Sequence, residues 1–237
     1  MNIIGHRGAA GLALENTAES IAAAIDAGVD AIEFDIRLTK DSKLVLSHDK
    51  HLGRVSEKSS LITENSLAKL KQIRLNNGEE IVTLAEAIVK AQNVPVIIEA
   101  KQNGWAKPLA TFLGQLEDVS KLKVISFSHR ELYSFHLLMP DIRVYALEDT
   151  KPFDVIHTAR VLGLTGVDLN FWLLNPITYF LARYHRLDIM VYTVNTPWIA
   201  RFLRLLYPRI SITTDVPDQL QFLRKTKRRG KRASRRA

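Results

Sequence analysis

Apolar positions along this chain recur in two periods that take turns. Residues 2–5, 96–101, 123–126, 143–147, 166–170, 189–194 and 210–213 form short apolar runs with the length of strands. Between them the spacing changes: Ala18, Ile21, Ala22 and Ile25 lie three to four apart and predict a helix that Gly28 stops. Further helices are predicted near 66–73, 84–91, 131–138, 176–184 and 197–205. Either Asn16 or Thr17 can cap the first helix.

The densest signal is residues 31–49, AIEFDIRLTKDSKLVLSHD. Ile32, Phe34 and Ile36 take one face of a strand, and Glu33, Asp35 and Arg37 take the other. Lys40 to Lys43 is turn-like, and a second short strand, 44–47, follows too closely for a parallel crossover, so it is antiparallel. A two-residue turn at Asp41-Ser42 pairs Lys40 with Lys43 and, counting outward, sets Asp35 opposite His48. With that arm set aside, eight strand candidates remain, near residues 3, 33, 98, 125, 145, 168, 191 and 212. Eight parallel strands alternating with helices describe an α/β fold, the (β/α)8 TIM barrel. An open doubly wound sheet is the alternative, but no G-x-G-x-x-G opens a helix to support it.

Composition narrows the class. The 237 residues suit one large domain, and 46% hydrophobic content supplies a core. The absence of cysteine excludes disulfides and thiolate metal sites. The start, MNIIGHRG, runs into a strand without a basic leader, and no uncharged apolar run approaches ~18 residues. A cytoplasmic protein is therefore expected. The net charge of +8 is local: nine of the 33 Lys and Arg lie in residues 224–237, leaving 24 against 25 acids. The barrel domain is thus expected to span 1–223, with 224–237 a disordered polybasic tail.

The polar residues gather at strand ends. His6 and Arg7 end the first strand, Glu33 and Asp35 the second, Glu99 and Lys101 the third, and the hairpin returns His48 to the same rim. Barrel active sites are built there. Glu33, Asp35 and Glu99 repel one another unless a cation sits among them, and oxygen-only ligation points to Mg²⁺ or Ca²⁺. Arg7 and Lys101 suit an anionic ligand such as a phosphate. Two histidines can remove and donate protons near neutral pH. Together these residues imply hydrolysis of a phosphate ester. Duller readings exist for each alone: a solvated hairpin for Glu33 and Asp35, an ion pair for Glu99 and Lys101, satisfied turn histidines for His6 and His48. Asn16 divides between helix cap and site organiser, and Asn195 and Asp215 read as supporting residues. Phe127, Phe171, Trp172 and Trp198 read as core rather than pocket wall.

The motifs HRG at 6–8, ENT at 15–17, IEFD at 32–35, T-x-D at 39–41, HD at 48–49, IEAK at 98–101, SFS at 126–128, TVN at 193–195 and TD-x-P at 214–217 occur in that order. In this the chain resembles the glycerophosphodiester phosphodiesterases across nearly all of its length before the tail. The resemblance implies His6 and His48 as the acid–base pair, Glu33, Asp35 and Glu99 as metal ligands, and Arg7 and Lys101 as phosphate contacts. It makes residues 50–80 a small insertion beside the barrel mouth, and it implies a glycerophosphodiester as substrate. Leu14 stands where the family often has proline, Ser42 where it has a turn glycine, and Tyr192 where tryptophan is common.

Three function classes follow. One is metal-dependent hydrolysis of glycerophosphodiesters to glycerol 3-phosphate and an alcohol. Another is a lysophospholipase D-type enzyme of the same fold, held at anionic membranes by the tail. The third is a non-catalytic binder whose tail docks to nucleic acid, which the complete set of catalytic residue types argues against. At about 1 kcal/mol per Lys or Arg near an anionic bilayer, the tail suffices for weak, salt-sensitive docking peripheral to a membrane.

Overall fold

The computed structural model describes residues 1–223, so the expected tail, 224–237, lies outside the described residues. The eight strand candidates are all strands. They are β1 (Asn2–Gly5), β2 (Ala31–Leu38), β4 (Val96–Ala100), β5 (Leu122–Ser126), β6 (Arg143–Glu148), β7 (Gly166–Asn170), β8 (Asp188–Tyr192) and β9 (Ile210–Thr214). Each pairs in parallel with its neighbours, and β1 closes the ring by pairing with both β9 and β2. The result is the closed (β/α)8 barrel. The predicted run 189–194 is shifted: the strand starts at Asp188 and stops at Tyr192, leaving Thr193 and Asn195 in the loop beyond.

The helical ring is made of α1 (Ala18–Asp26), α3 (Leu84–Lys90), α4 (Ala106–Leu113), α5 (His129–Leu138), α6 (Pro152–Val161), α7 (Pro176–Tyr184), α8 (Pro197–Leu206) and, after β9, the 3₁₀ segment Pro217–Leu223, while a short α2 (Leu67–Leu70) lies apart between β3 and α3. Thr17, not Asn16, caps α1, through a reciprocal box with Ser20. Thr83 and Glu86 make the same box at α3. The main core lies between ring and barrel, where outward strand residues such as Ile32, Phe34 and Ile98 meet the helices. A smaller cluster, including Ile4, Ala31, Ile97, Ile125 and Met190, fills the barrel below its mouth. The mouth above is where polar side chains replace apolar ones.

The hairpin arm is β3 (Leu44–Leu46), antiparallel to β2. Its register differs by one from the count made on the sequence: Ile36 faces Leu46, Arg37 faces Val45 and Leu38 faces Leu44. The turn therefore holds three residues, Lys40 to Ser42, closed by Thr39 N–H to Lys43 O at 2.9 Å. Ser42 takes φ 58°, the left-handed conformation that a glycine adopts freely and that lets the third turn residue reverse the chain. Ser47, rather than His48, lies across from Asp35, its N–H donating to Asp35 O at 3.1 Å. His48 is one residue further on, beyond the strand.

Between β3 and α3 the chain makes two 3₁₀ turns, Leu52–Arg54 and Ile62–Glu64, and the short α2. Leu52, Ile62, Leu70, Ile73 and Ile81 bury a satellite core against Val45 of the hairpin. Glu79 ties the segment to the barrel by accepting the first free N–H groups of α1, from Ala18 at 2.8 Å and Glu19 at 3.0 Å.

Candidate active site

Glu33 and Asp35 stand on the inner face of β2, and β2–β4 pairing sets Asp35 beside Glu99. One oxygen from each of Glu33, Asp35 and Glu99 lies within 4.8 Å of the others, and all three residues are buried. Burial, with Asp35 and Glu99 nearby, raises Glu33 well above the usual carboxylate range. Burial and Asp35 push Glu99 up to about 7, against the pull of Lys101. Burial also opposes ionisation of Asp35, but Lys101, Arg7 and a hydrogen bond from Asn16 hold it below its ordinary value. Glu33 Oε1 and Asp35 Oδ1 are buried without a hydrogen-bond donor. Three clustered acids with two oxygens left over fit a hard divalent cation, which satisfies both and removes the repulsion.

Asn16 shows how the acids are aimed. Its side-chain amide donates to Asp35 Oδ2 at 2.9 Å and its carbonyl accepts Asp35 N–H at 3.1 Å. That takes a φ of 57°, a conformation asparagine tolerates better than most residues. Organiser, not cap, is its role. Arg7 has φ 50°, and its N–H donates to Glu33 Oε2 at 2.9 Å. Its Nε lies 3.2 Å from Asp35 Oδ2, at ion-pair distance without hydrogen-bond alignment. Lys101 Nζ donates to Glu99 Oε1 at 2.6 Å and stands 3.5 Å from Asp35 Oδ1. Burial opposes both cations, yet the surrounding carboxylates raise both above their ordinary values. Arg7 and Lys101 are firmly charged at the cluster's edge.

Each histidine is backed by an aspartate. His6 Nδ1–H donates to Asp215 Oδ1 at 2.6 Å, and Asn195 Oδ1 accepts the Asp215 backbone N–H at 2.8 Å. His48 Nδ1–H donates to Asp49 Oδ1 at 2.7 Å. In both, the bond at Nδ1 fixes the ring and leaves Nε2 free to exchange a proton. Burial pushes the pKa of His48 down, and Lys101 and Arg7 lower it further against Asp35 and Asp49.

The seven residues singled out by sequence therefore share one mouth. Reading the sequence missed the frame around them. Arg37 donates to His48 O from Nε at 3.0 Å and Nη2 at 2.6 Å, strapping the loop past β3 to the barrel. Arg54 links Asp49 to Glu15, and Glu15 accepts Arg7 Nη1 at 3.0 Å, so one chain of charges runs from His48 to Arg7. The ENT and HD motifs contain Glu15 and Asp49, but nothing local marks Arg54 as their partner. Asp168 on β7 was also missed; it is buried, and burial and Glu99 hold it well above the usual carboxylate range. Its signal was an acid in an apolar strand run.

Aromatic residues depart from expectation. Phe127, Trp172 and Trp198 are exposed rather than packed in the core, and only Phe171 leans on it. Phe127 lies by the mouth, its ring 5.7 Å from Lys101 Nζ and edge-on to Tyr192 at 6.5 Å.

Comparisons with known proteins agree with the fold and identify the family. The sequence model of the glycerophosphoryl diester phosphodiesterase family matches residues 6–219. YhdW of Bacillus subtilis, provisionally named a glycerophosphodiester phosphodiesterase, is 30% identical over 236 residues, covering 92% of this chain and 96% of its own. An Oleispira antarctica phosphodiesterase, solved with the product sn-glycerol-3-phosphate, superposes with a TM-score of 0.84 at 24% identity, over 94% of this chain and 96% of its own. A Thermotoga maritima glycerophosphodiester phosphodiesterase gives 0.80 at 25% identity, over 94% and 98%.

Proposed function

The chain belongs to the glycerophosphoryl diester phosphodiesterase family, and on that premise we propose that this phosphodiesterase cleaves a glycerophosphodiester to glycerol 3-phosphate and an alcohol, with a divalent cation at its acidic cluster. The observation that carries the reading is the buried triad Glu33, Asp35 and Glu99, flanked by two cations and two aspartate-backed histidines. Glu33, Asp35 and Glu99 hold Mg²⁺ or Ca²⁺, which supplies Lewis-acid polarisation of the phosphate when bound. Arg7 and Lys101 bind the phosphate oxygens, Arg7 by its planar fork and Lys101 as a point charge. His48, held below the ordinary histidine pKa, is suited to take the proton of the attacking hydroxyl. His6, fixed by Asp215, delivers a proton to the leaving alcohol oxygen.

Exhaustive chelation should abolish release of glycerol 3-phosphate from glycerophosphocholine, and Mg²⁺ or Ca²⁺ should restore it. Full turnover after chelation overturns the metal assignment. A lysophospholipase D-type activity is the second reading, favoured by the large apolar side chains that α7 and α8 expose. Faster release of choline from lysophosphatidylcholine than from glycerophosphocholine would select it. The polybasic sequence of residues 224–237 supports a further reading, a cytoplasmic enzyme that docks peripherally on an anionic lipid surface.

A further inference from the structure

Exposed apolar side chains are distributed unevenly around the barrel. Among the described residues, α8 presents Trp198, Phe202, Leu205 and Leu206 to solvent, with Leu205 79% and Trp198 69% exposed. Positions 198, 202 and 205 follow the helical repeat, so they form one stripe. Beside it α7, joined to α8 where Tyr179 meets Tyr207 with ring centroids 5.0 Å apart, exposes Ile177, Phe180 and Tyr184. Those positions also fall at helical spacing. Soluble proteins rarely expose two adjacent apolar stripes without a partner for them.

The charges say which partner. Between Asp168 and Asp215 the sequence holds a single acid, Asp188, against Arg183, Arg186, Arg201, Arg204 and Arg209. Asp188 is not on this face: it starts β8 and accepts the Tyr145 hydroxyl at the N-terminal end of the barrel, where Arg209 lines the same cavity, so the face keeps Arg183, Arg186, Arg201 and Arg204. Arg201 lies 4.6 Å from the Phe222 ring centroid and Arg204 Nη1 donates to Phe222 O at 3.0 Å, which fixes the end of the described chain against α8. Leu223 is thus next to this face, and the nine Lys and Arg of 224–237 begin from it. Trp198 sits in the first turn of α8, on the side of the barrel mouth.

We propose that the α7–α8 face docks on an anionic lipid bilayer, with Trp198, Phe202, Leu205 and Leu206 seated among the headgroups and the arginines against lipid phosphates. Aromatic and aliphatic residues on an arginine-bearing helix without acids have the composition of an interfacial helix. A second copy of this chain fits less well, because two-fold pairing of the face sets its arginines against each other. Nucleic acid would leave Leu205, Leu206 and Ile177 without an apolar contact. Docking by this face lays the barrel on its flank, with the Trp198 end of α8 bringing one edge of the mouth to the lipid surface. The inference shares its lipid partner with the reading of the tail, and the test separates the two.

Full-length protein is mixed with vesicles of phosphatidylcholine alone or with about one-third phosphatidylglycerol, and the bound fraction is read by flotation. Binding to the anionic vesicles only is expected. The double variant Phe202→Glu, Leu205→Glu should lose at least about tenfold in partition, with unchanged circular dichroism and unchanged turnover of soluble glycerophosphocholine. A truncation after Leu223 should bind more weakly, and the double variant should remove what remains. In the unaltered protein, brominated acyl chains should quench tryptophan fluorescence, a readout that needs no variant. Double-variant partition equal to the unaltered protein overturns the face and leaves the tail reading standing; no binding at low salt overturns both. A dimer in sedimentation velocity that the double variant dissociates, with vesicle binding unchanged, assigns the face to a second copy. Displacement from vesicles by a DNA duplex, equally in both forms, assigns the basic groups to nucleic acid and overturns the proposal.

Discussion

Residues 1–101 hold β1 to β4 and, among the described residues, the three clustered acids, both cations and both histidines of the mouth. Residues 102–223 hold β5 to β9 and expose large apolar side chains, whereas the first part exposes only Leu12 and Val89 among its described residues. The contrast is one of constraint. In the first part acids and bases are buried beside one another, and each is held by at least one neighbour that a substitution would leave unpaired. In the second part the strands bury apolar faces in the usual way, and the outer helices leave large apolar side chains in solvent.

The contrast is broken most directly at the histidines. His6→Ala and His48→Ala should each lower turnover of glycerophosphocholine by roughly 10²–10⁴-fold with the fold intact. Phe202→Glu should leave it unchanged. A first-half histidine whose loss is tolerated, beside a surface change that is not, would reverse the assignment of the two halves.

The second test is thermodynamic. Glu33 and Glu99 have raised folded-state pKa values, Glu99 about 7. A carboxyl with a raised value is bound to its proton more tightly in the folded chain than in the unfolded one. Its contribution is complete below the unfolded value and is lost as pH rises through the folded one. Without metal the protein should therefore melt at a lower temperature at pH 8 than at pH 5.5, with Glu99 alone contributing about 2 kcal/mol across that window. Mg²⁺ or Ca²⁺ should restore more stability at pH 8 than at pH 5.5. Glu99→Gln should flatten the metal-free pH dependence, and an unchanged slope would mean that the carboxylates do not repel as their geometry implies.

A smaller effect is expected behind the histidines. Asp49→Asn and Asp215→Asn keep shape but weaken the bond at Nδ1, and each should cost about 10–100-fold in kcat with little change in KM. The Asp215 effect is the sharper test, since that residue comes from the second half. If it alone is silent, the mouth is built by the first half without help.

How much of this was legible depends on range. The barrel was legible because alternating strand and helix periods are local, and eight of them leave few closed arrangements. That seven polar residues would meet at one mouth was legible because each stands at a strand end or a hairpin arm, where an acid or base interrupts an apolar run. The hairpin register was not: it turns on whether Thr39 or Lys40 closes the turn, a choice made by Ser42 entering the left-handed region, which the residue type disfavours. Arg37, Arg54 and Asp168 were hidden for another reason. Arg37 reaches a carbonyl 11 residues away and Arg54 a carboxylate 39 away, so their roles exist only once the barrel has closed. The exposure of Trp198 was hidden because a helical stripe of apolar residues reads alike whether it faces core or solvent.

Ser42 offers the smallest and most discriminating change. It holds φ 58° in the turn joining β2 and β3, in the chemical half; Arg186 holds φ 61° in the loop between α7 and β8, in the other. An L-residue in this region costs roughly 1–2 kcal/mol, which glycine avoids, while glycine's freer unfolded chain returns part of the gain. Ser42→Gly and Arg186→Gly should each stabilise the protein by about 0.5 kcal/mol, read as a rise of roughly 1–2 °C in Tm. The two should differ if the hairpin stores strain that positions His48. The structure argues against that: Ile36, Arg37 and Leu38 fix the register of β3, and the Arg37 side chain holds the His48 carbonyl directly. Turnover should therefore be unchanged in both variants. A Ser42→Gly enzyme that gains stability but loses rate would show that the turn, and not the strap from Arg37, sets where His48 stands.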